Sequence, residues 1–123
     1  MTDTAPSPDE RARAATLIDG ARAANERLIT SLTDLWDELV ASSDGSNADD
    51  EHDPEGATIA FERERLTESL ARARADLAAL DQAAARLADG SYWTCATCGG
   101  PIAPARLEAR PTARTCIACA RRR

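Results

Sequence analysis

The sequence predicts an all-α protein: a long antiparallel coiled-coil hairpin followed by a small C-terminal four-cysteine finger. Three observations carry this reading. Two stretches of small and apolar residues recur in steps of three and four, a polar segment without period separates them, and four cysteines stand in two Cys-x-x-Cys pairs near the C-terminus. Among 123 residues the aromatics are only Trp36, Phe61, Tyr92 and Trp93, too few to fill a compact globular core. No apolar run approaches the roughly 20 residues that a membrane span requires, so a membrane partner is not expected.

Residues 1–6 read as a disordered tail. The first helix starts at Ser7-Pro8-Asp9-Glu10, a capping box with Ser7 as N-cap, proline at the first helical position and Glu10 reaching back. Its stripe runs through Ala14, Leu17, Ala21, Ala24, Leu28, Leu32, Leu35 and Leu39, and the step from Leu28 to Leu32 breaks the heptad like a stutter. A tip loop spans about 42–55, polar and turn-forming. Asp53-Pro54-Glu55 then supplies an N-cap, a first-position proline and an acidic first turn for the second helix. Leu66, Leu70, Ala73, Leu77, Leu80, Ala84 and Leu87 keep an unbroken heptad, and Asp89-Gly90 ends the helix.

An antiparallel hairpin pairs residues whose numbers sum to a constant. Leu39 with Ile59, Leu32 with Leu66, Leu28 with Leu70, Ala21 with Leu77 and Ala14 with Ala84 share one such sum. This agreement selects a hairpin over residues 7–90, with arms of about 50 Å, over a parallel homodimer built on the same heptads. A monomer follows. One layer fits badly, because Leu35 would face Arg63, whose charged head must snorkel outward. Trp36 and Phe61 read as hairpin packing, and Tyr92 with Trp93 as the seat of the finger.

Charge is uneven. The chain carries a net charge of -6, and every basic residue is arginine. Residues 44–55 hold six acids and no base, whereas residues 90–123 hold six arginines and one acid. The cluster of Asp49, Asp50, Glu51, Asp53 and Glu55 would be drawn to basic groups or to bound magnesium. Asp53 also serves as a plain N-cap, while Asp50 has no such task.

Cys95-x-x-Cys98 and Cys116-x-x-Cys119, with 17 residues between the pairs, have the spacing of a tetrahedral metal site. Each pair offers two thiolates from one tight turn, and Gly99-Gly100 follow the first pair where a knuckle needs backbone without a Cβ. Two disulfides are the competing reading, but no apolar signal segment precedes the cysteines, so a reducing cytoplasm and one structural Zn2+ per chain are expected. Four thiolates close the coordination shell and leave no position for a reacting water. No Ser/His/Asp set or phosphate-cradling glycine loop accompanies them, and His52 stands apart in the polar loop; the chain reads as no enzyme.

The C-terminal module over residues 91–123 runs from Tyr92 through Cys95, Cys98 and the string Arg106-Leu107-Glu108-Ala109-Arg110-Pro111-Thr112-Ala113 to Cys116 and Cys119, with a basic tail after it. This string and its cysteines resemble the signature of the DksA/TraR zinc-finger family, and the resemblance covers the chain from about Ser7 to the end. It implies a bacterial transcription regulator that binds RNA polymerase and inserts its hairpin tip into the secondary channel, toward the catalytic centre. Asp50-Glu51-His52-Asp53-Pro54-Glu55 matches both aspartates of the family's Asp-x-x-Asp-x-Ala tip, with Glu55 in place of the alanine. Several members act together with the alarmone ppGpp, and Arg110 matches a family arginine implicated in that response. Arg110 and Arg106 are therefore candidates for partner or ppGpp contact, and both equally fit a structural role under the finger. Two other functions remain compatible with the residues: a zinc module binding nucleic acid through Arg114 and Arg121 to Arg123, and a coiled-coil adaptor. Sequence-specific DNA binding is disfavoured, since the finger lacks a recognition helix.

Overall fold

A computed structural model describes residues 5–45 and 54–122. Among them the order is α1 (Pro8–Gly45), α2 (Pro54–Asp89), a 3-10 turn (Ser91–Trp93), α3 (Pro104–Ala109) and α4 (Ile117–Arg121). The fold is all-α, a long antiparallel coiled-coil hairpin with a small four-cysteine finger after it. Asp49, Asp50, Glu51, His52 and Asp53 lie outside the described residues.

The first helix begins as its capping box dictates. Glu10 donates its backbone N–H to Ser7 Oγ at 3.0 Å, and Ser7 N–H donates to Glu10 Oε1 at 2.9 Å, so two orphan donors are satisfied reciprocally. Arg11 adds a guanidinium bond to the Pro6 carbonyl at 2.9 Å. The second helix ends at Gly90, whose φ of +88° is the left-handed conformation that glycine adopts without steric cost. Asp89 fastens the exit, accepting from Ser91 N–H at 2.8 Å and from Ser91 Oγ at 2.6 Å.

The chain forms two compact units, residues 24–77 and residues 1–23 with 78–123. In the first, Leu70 and Ala73 of α2 are buried, and Ile29, Leu32, Trp36 and Leu39 of α1 are half-buried with Ile59, Leu66 and Leu77. The Arg63 guanidinium lies over the Trp36 ring, 5.4 Å from its centroid, and this solves the layer that the sequence left strained. A cation over an aromatic face keeps its solvated side while its stem covers apolar surface.

The α1 seam differs from the expected stripe. Leu28 and Leu35 are each 49% exposed, so the inferred pairing of Leu28 with Leu70 does not bury Leu28. Ile29 and Trp36, each one residue later, turn inward instead. Phe61 is also 60% exposed, against its expected place in the hairpin packing. The α2 stripe holds throughout: each of its seven expected positions is buried or half-buried.

In the second unit the helix bases and the finger share one core of Ala14, Ile18, Ala83, Tyr92, Cys95, Ile102 and Leu107. Here again the seam is displaced, with Ile18 1% exposed and Leu17 38% exposed. Alanines at Ala14 and Ala83 admit close approach of the backbones, so a thin core can exclude water. Arg22 joins α1 to α2 by a 3.0 Å ion pair to Asp81, and Arg13 joins α1 to α3 by one of 3.1 Å to Glu108. Both pairs are exposed enough that each stabilises by no more than about 1 kcal/mol. Apolar burial, not charge, seats the finger.

Candidate metal centre and finger surface

The first cysteine pair sits on a knuckle built by backbone bonds. Cys95 N–H donates to Gly100 O at 2.7 Å and Gly99 N–H to Cys95 O at 3.0 Å, a turn that needs the positive φ of Gly99, +76°. Thr94 and Pro101 form a single antiparallel bridge that closes its neck. The tight turn points amides at sulfur: Thr97 and Cys98 donate to Cys95 Sγ at 3.4 and 3.5 Å, and Gly100 to Cys98 Sγ at 3.4 Å. A Cβ at Gly100 would stand 3.4 Å from Cys98 Sγ.

The second pair uses a helix in place of a knuckle. Cys116 is the N-cap of α4, with Ala120 N–H donating to its carbonyl at 2.9 Å, and Cys119 lies within the helix. The two halves are tied by Ala96 N–H to Arg114 O at 2.8 Å. Arg106, half-buried on α3, donates its Nε–H to the Thr115 carbonyl at 2.8 Å, one residue before Cys116. It buttresses the approach to the third ligand.

All four Sγ atoms lie within 4.8 Å of one another, and Cys98 Sγ is 3.9 Å from Cys116 Sγ. A tetrahedron with metal–sulfur bonds of about 2.3 Å has edges of about 3.8 Å, so the donor set has the dimensions that zinc requires. None of the four is in a disulfide. The thiols divide electrostatically. Backbone N–H donation, led by Cys98, brings Cys95 down to about 6, and donation led by Cys119 lowers Cys116. Burial, reinforced by contact with the other three thiols, pushes Cys119 up to about 12. Four thiolates in so small a volume repel one another, and a divalent cation relieves that repulsion.

Around the centre the residues expected to matter fall into two groups. Tyr92 is 1% exposed, and its hydroxyl donates to Pro111 O at 2.8 Å. Its ring meets Trp93 edge to face at 5.1 Å, and Arg86 of α2 lies 5.7 Å over it. Burial raises the Tyr92 hydroxyl above its ordinary value. Arg110, in contrast, is exposed at the end of α3. With Arg106, Thr112, Arg114 and Thr115 it lines an open recess of about 540 Å³ that also reaches Cys119. The structure thus separates the two arginines: Arg106 is engaged beneath the finger, and Arg110 faces solvent. The engagement of Arg106 and the anchoring hydroxyl of Tyr92 have no periodic signature by which sequence could reveal them.

Comparison with known proteins agrees with this geometry. Residues 90–123 match the model of the prokaryotic dksA/traR C4-type zinc finger. The RNA polymerase-binding transcription factor DksA of Caulobacter vibrioides, in two strains, is 55% identical over 42 residues. That match takes in 34% of this chain and 30% of the relative's length. Transcription factor DksA2 from Pseudomonas aeruginosa has a similar fold, with a TM-score of 0.82 and 25% identity over 99% of this chain and 89% of that one. The resemblance to the DksA/TraR family therefore stands, and the C-terminal module is a C4 zinc finger whose expected ion is Zn2+, held by Cys95, Cys98, Cys116 and Cys119.

Proposed function

We propose that this chain is a non-enzymatic transcription regulator that binds RNA polymerase and carries an acidic hairpin tip into the secondary channel to modulate initiation. The likeness to DksA2 across 99% of the chain is the observation that carries the proposal, since it includes hairpin and finger together. The polymerase-binding description of the Caulobacter relative supports the same partner. In this reading Asp50 and Asp53 are the carboxylates presented to the catalytic centre, where they would meet basic groups or bound magnesium. Zinc holds the finger's shape and takes no part in chemistry. Arg110 is the candidate for contact with the partner or with ppGpp, since it is exposed in a basic recess; Arg106, bonded to Thr115, is the weaker one. The protein acts as a cytoplasmic monomer, and among its described residues no helix is long and apolar enough to cross a membrane.

The test is a double substitution, Asp50→Asn with Asp53→Asn, assayed by polymerase pull-down and by transcription with purified components, with and without ppGpp. The variant should keep its helicity and its zinc, still bind polymerase, and lose the effect on initiation. A double variant that regulates as well as wild type rejects the tip mechanism, and a wild-type chain that fails to capture polymerase rejects the partner.

A further inference from the structure

Within the finger, the Arg110-Pro111-Thr112-Ala113 segment is a β-turn closed by Ala113 N–H donating to Arg110 O at 2.9 Å. The Pro111 carbonyl is not consumed by that turn. It accepts the hydroxyl of Tyr92, the largest fully buried side chain among the described residues, at 2.8 Å. Tyr92 is itself held: its ring lies under the Arg86 guanidinium, its carbonyl accepts from Arg86 at 3.4 Å, and its edge packs on Trp93. A line of contacts therefore runs from Arg86 on α2, through Tyr92, to the carbonyl one residue after Arg110. On the other side Arg110 N–H donates to Arg106 O at 2.7 Å, and Arg106 is bonded to Thr115. The backbone of Arg110 is fixed from both flanks while its side chain stays exposed.

We propose that Tyr92 is a positioning residue: its hydroxyl locks the turn that presents Arg110 at the basic recess. An exposed arginine loses much of its binding energy to the entropy of ordering its long side chain, and a rigid backbone beneath it removes part of that cost. The geometry is independent of any partner, whereas its consequence for regulation rests on the proposed function above.

Tyr92→Phe keeps the ring, its burial and the Arg86 contact, and deletes only the donor. In the full-length zinc-loaded chain, hydrogen exchange at the Ala113 amide should become about tenfold faster or more, with zinc content retained and helix amides unchanged. Unaltered exchange at Ala113 overturns the proposal, and so does exchange raised throughout the finger, which would mark a merely structural role. The second readout is transcription with purified polymerase for Arg110→Ala, Tyr92→Phe and the double variant. If Tyr92 acts through Arg110, the phenylalanine variant loses part of what Arg110→Ala loses, and the double variant equals Arg110→Ala alone. A double variant that falls further, or an Arg110→Ala chain equal to wild type, overturns the positioning role. Failure of wild type to act on polymerase at all rejects the proposed function instead, and the exchange measurement still decides whether Tyr92 locks the turn.

Discussion

At the scale of single residues, the side chains that matter most are those whose hydrogen bonds fix a cap, a turn or the approach to a ligand, and these divide by how much of their partner is visible in sequence. Asp89 accepts two bonds from Ser91 at the helix exit, which hold its carboxyl below the ordinary 3.8, with Arg86 adding a smaller attraction. A carboxylate depressed in the folded state stabilises above its unfolded pKa, and that stabilisation disappears as pH falls through the folded value. Asp89→Asn should therefore lower the melting temperature near neutrality, and the gap to wild type should close as pH is taken below about 4; a melting series from pH 7 to pH 2.5 checks it. Arg106 makes a different case. Its Nε–H bond to Thr115 O braces the residue before Cys116, so Arg106→Ala should weaken zinc retention about tenfold in competition with a chelator, the scale seen when support behind a ligand is removed. Arg106→Lys should recover little of this, because a flexible ammonium does not reproduce the planar donor. The capping box was legible in full because both partners lie three residues apart, and the set of four cysteines was legible because spacing alone limits its geometry. The bonds from Arg106 to Thr115 and from Tyr92 to Pro111 were not, since they span 9 and 19 residues and depend on how the finger folds.

At the scale of elements, the two helices teach opposite lessons about periodicity. On α2 no large apolar residue directly adjoins another, so the stripe has a single solution. On α1 four positions carry adjacent large apolar pairs, Leu17-Ile18, Leu28-Ile29, Leu35-Trp36 and Leu39-Val40, about 100° apart around the helix. Either member can continue a run of threes and fours. Only the register of the partner helix decides, and it chose Ile18, Ile29 and Trp36. The choice can be measured. Ile18→Ala should destabilise by about 2–4 kcal/mol, the range for emptying a buried aliphatic site, whereas Leu17→Ala should cost less than about 1 kcal/mol. Equal costs in urea melts would restore the stripe drawn through Leu17. The same helix offers a test at its start: Ser7→Ala removes the acceptor for Glu10 N–H and should cost about 1 kcal/mol.

At the scale of the whole molecule, metal and core are coupled through one unit. Cys95 is both a ligand and a member of the core that contains Ile18, Ala83, Tyr92 and Leu107, so the ion's binding energy and the burial of the helix bases draw on the same structure. The unit of residues 24–77 contains no cysteine and buries Leu70 and Ala73 without the finger. Removing zinc with a strong chelator should therefore unfold the chain only in part. Loss of the four-thiolate centre exposes Trp93 and Tyr92, and Trp93 emission should move to longer wavelength. Helical ellipticity should fall only in part, because α3 and α4 contribute 6 and 5 residues and the stretches of α1 and α2 within residues 24–77 keep their own buried Leu70 and Ala73. Thermal melts of the metal-free chain should show the unit of residues 24–77 melting after the remainder has already lost its core, whereas the zinc-loaded chain retains both. Structural zinc sites bind with apparent free energies of about 10–16 kcal/mol, far above what the few exposed ion pairs could replace. A metal-free chain that keeps Trp93 emission unshifted would mean that Tyr92, Ile102 and Leu107 hold the finger closed by themselves; one that loses all helicity would mean that the hairpin has no stability apart from the metal.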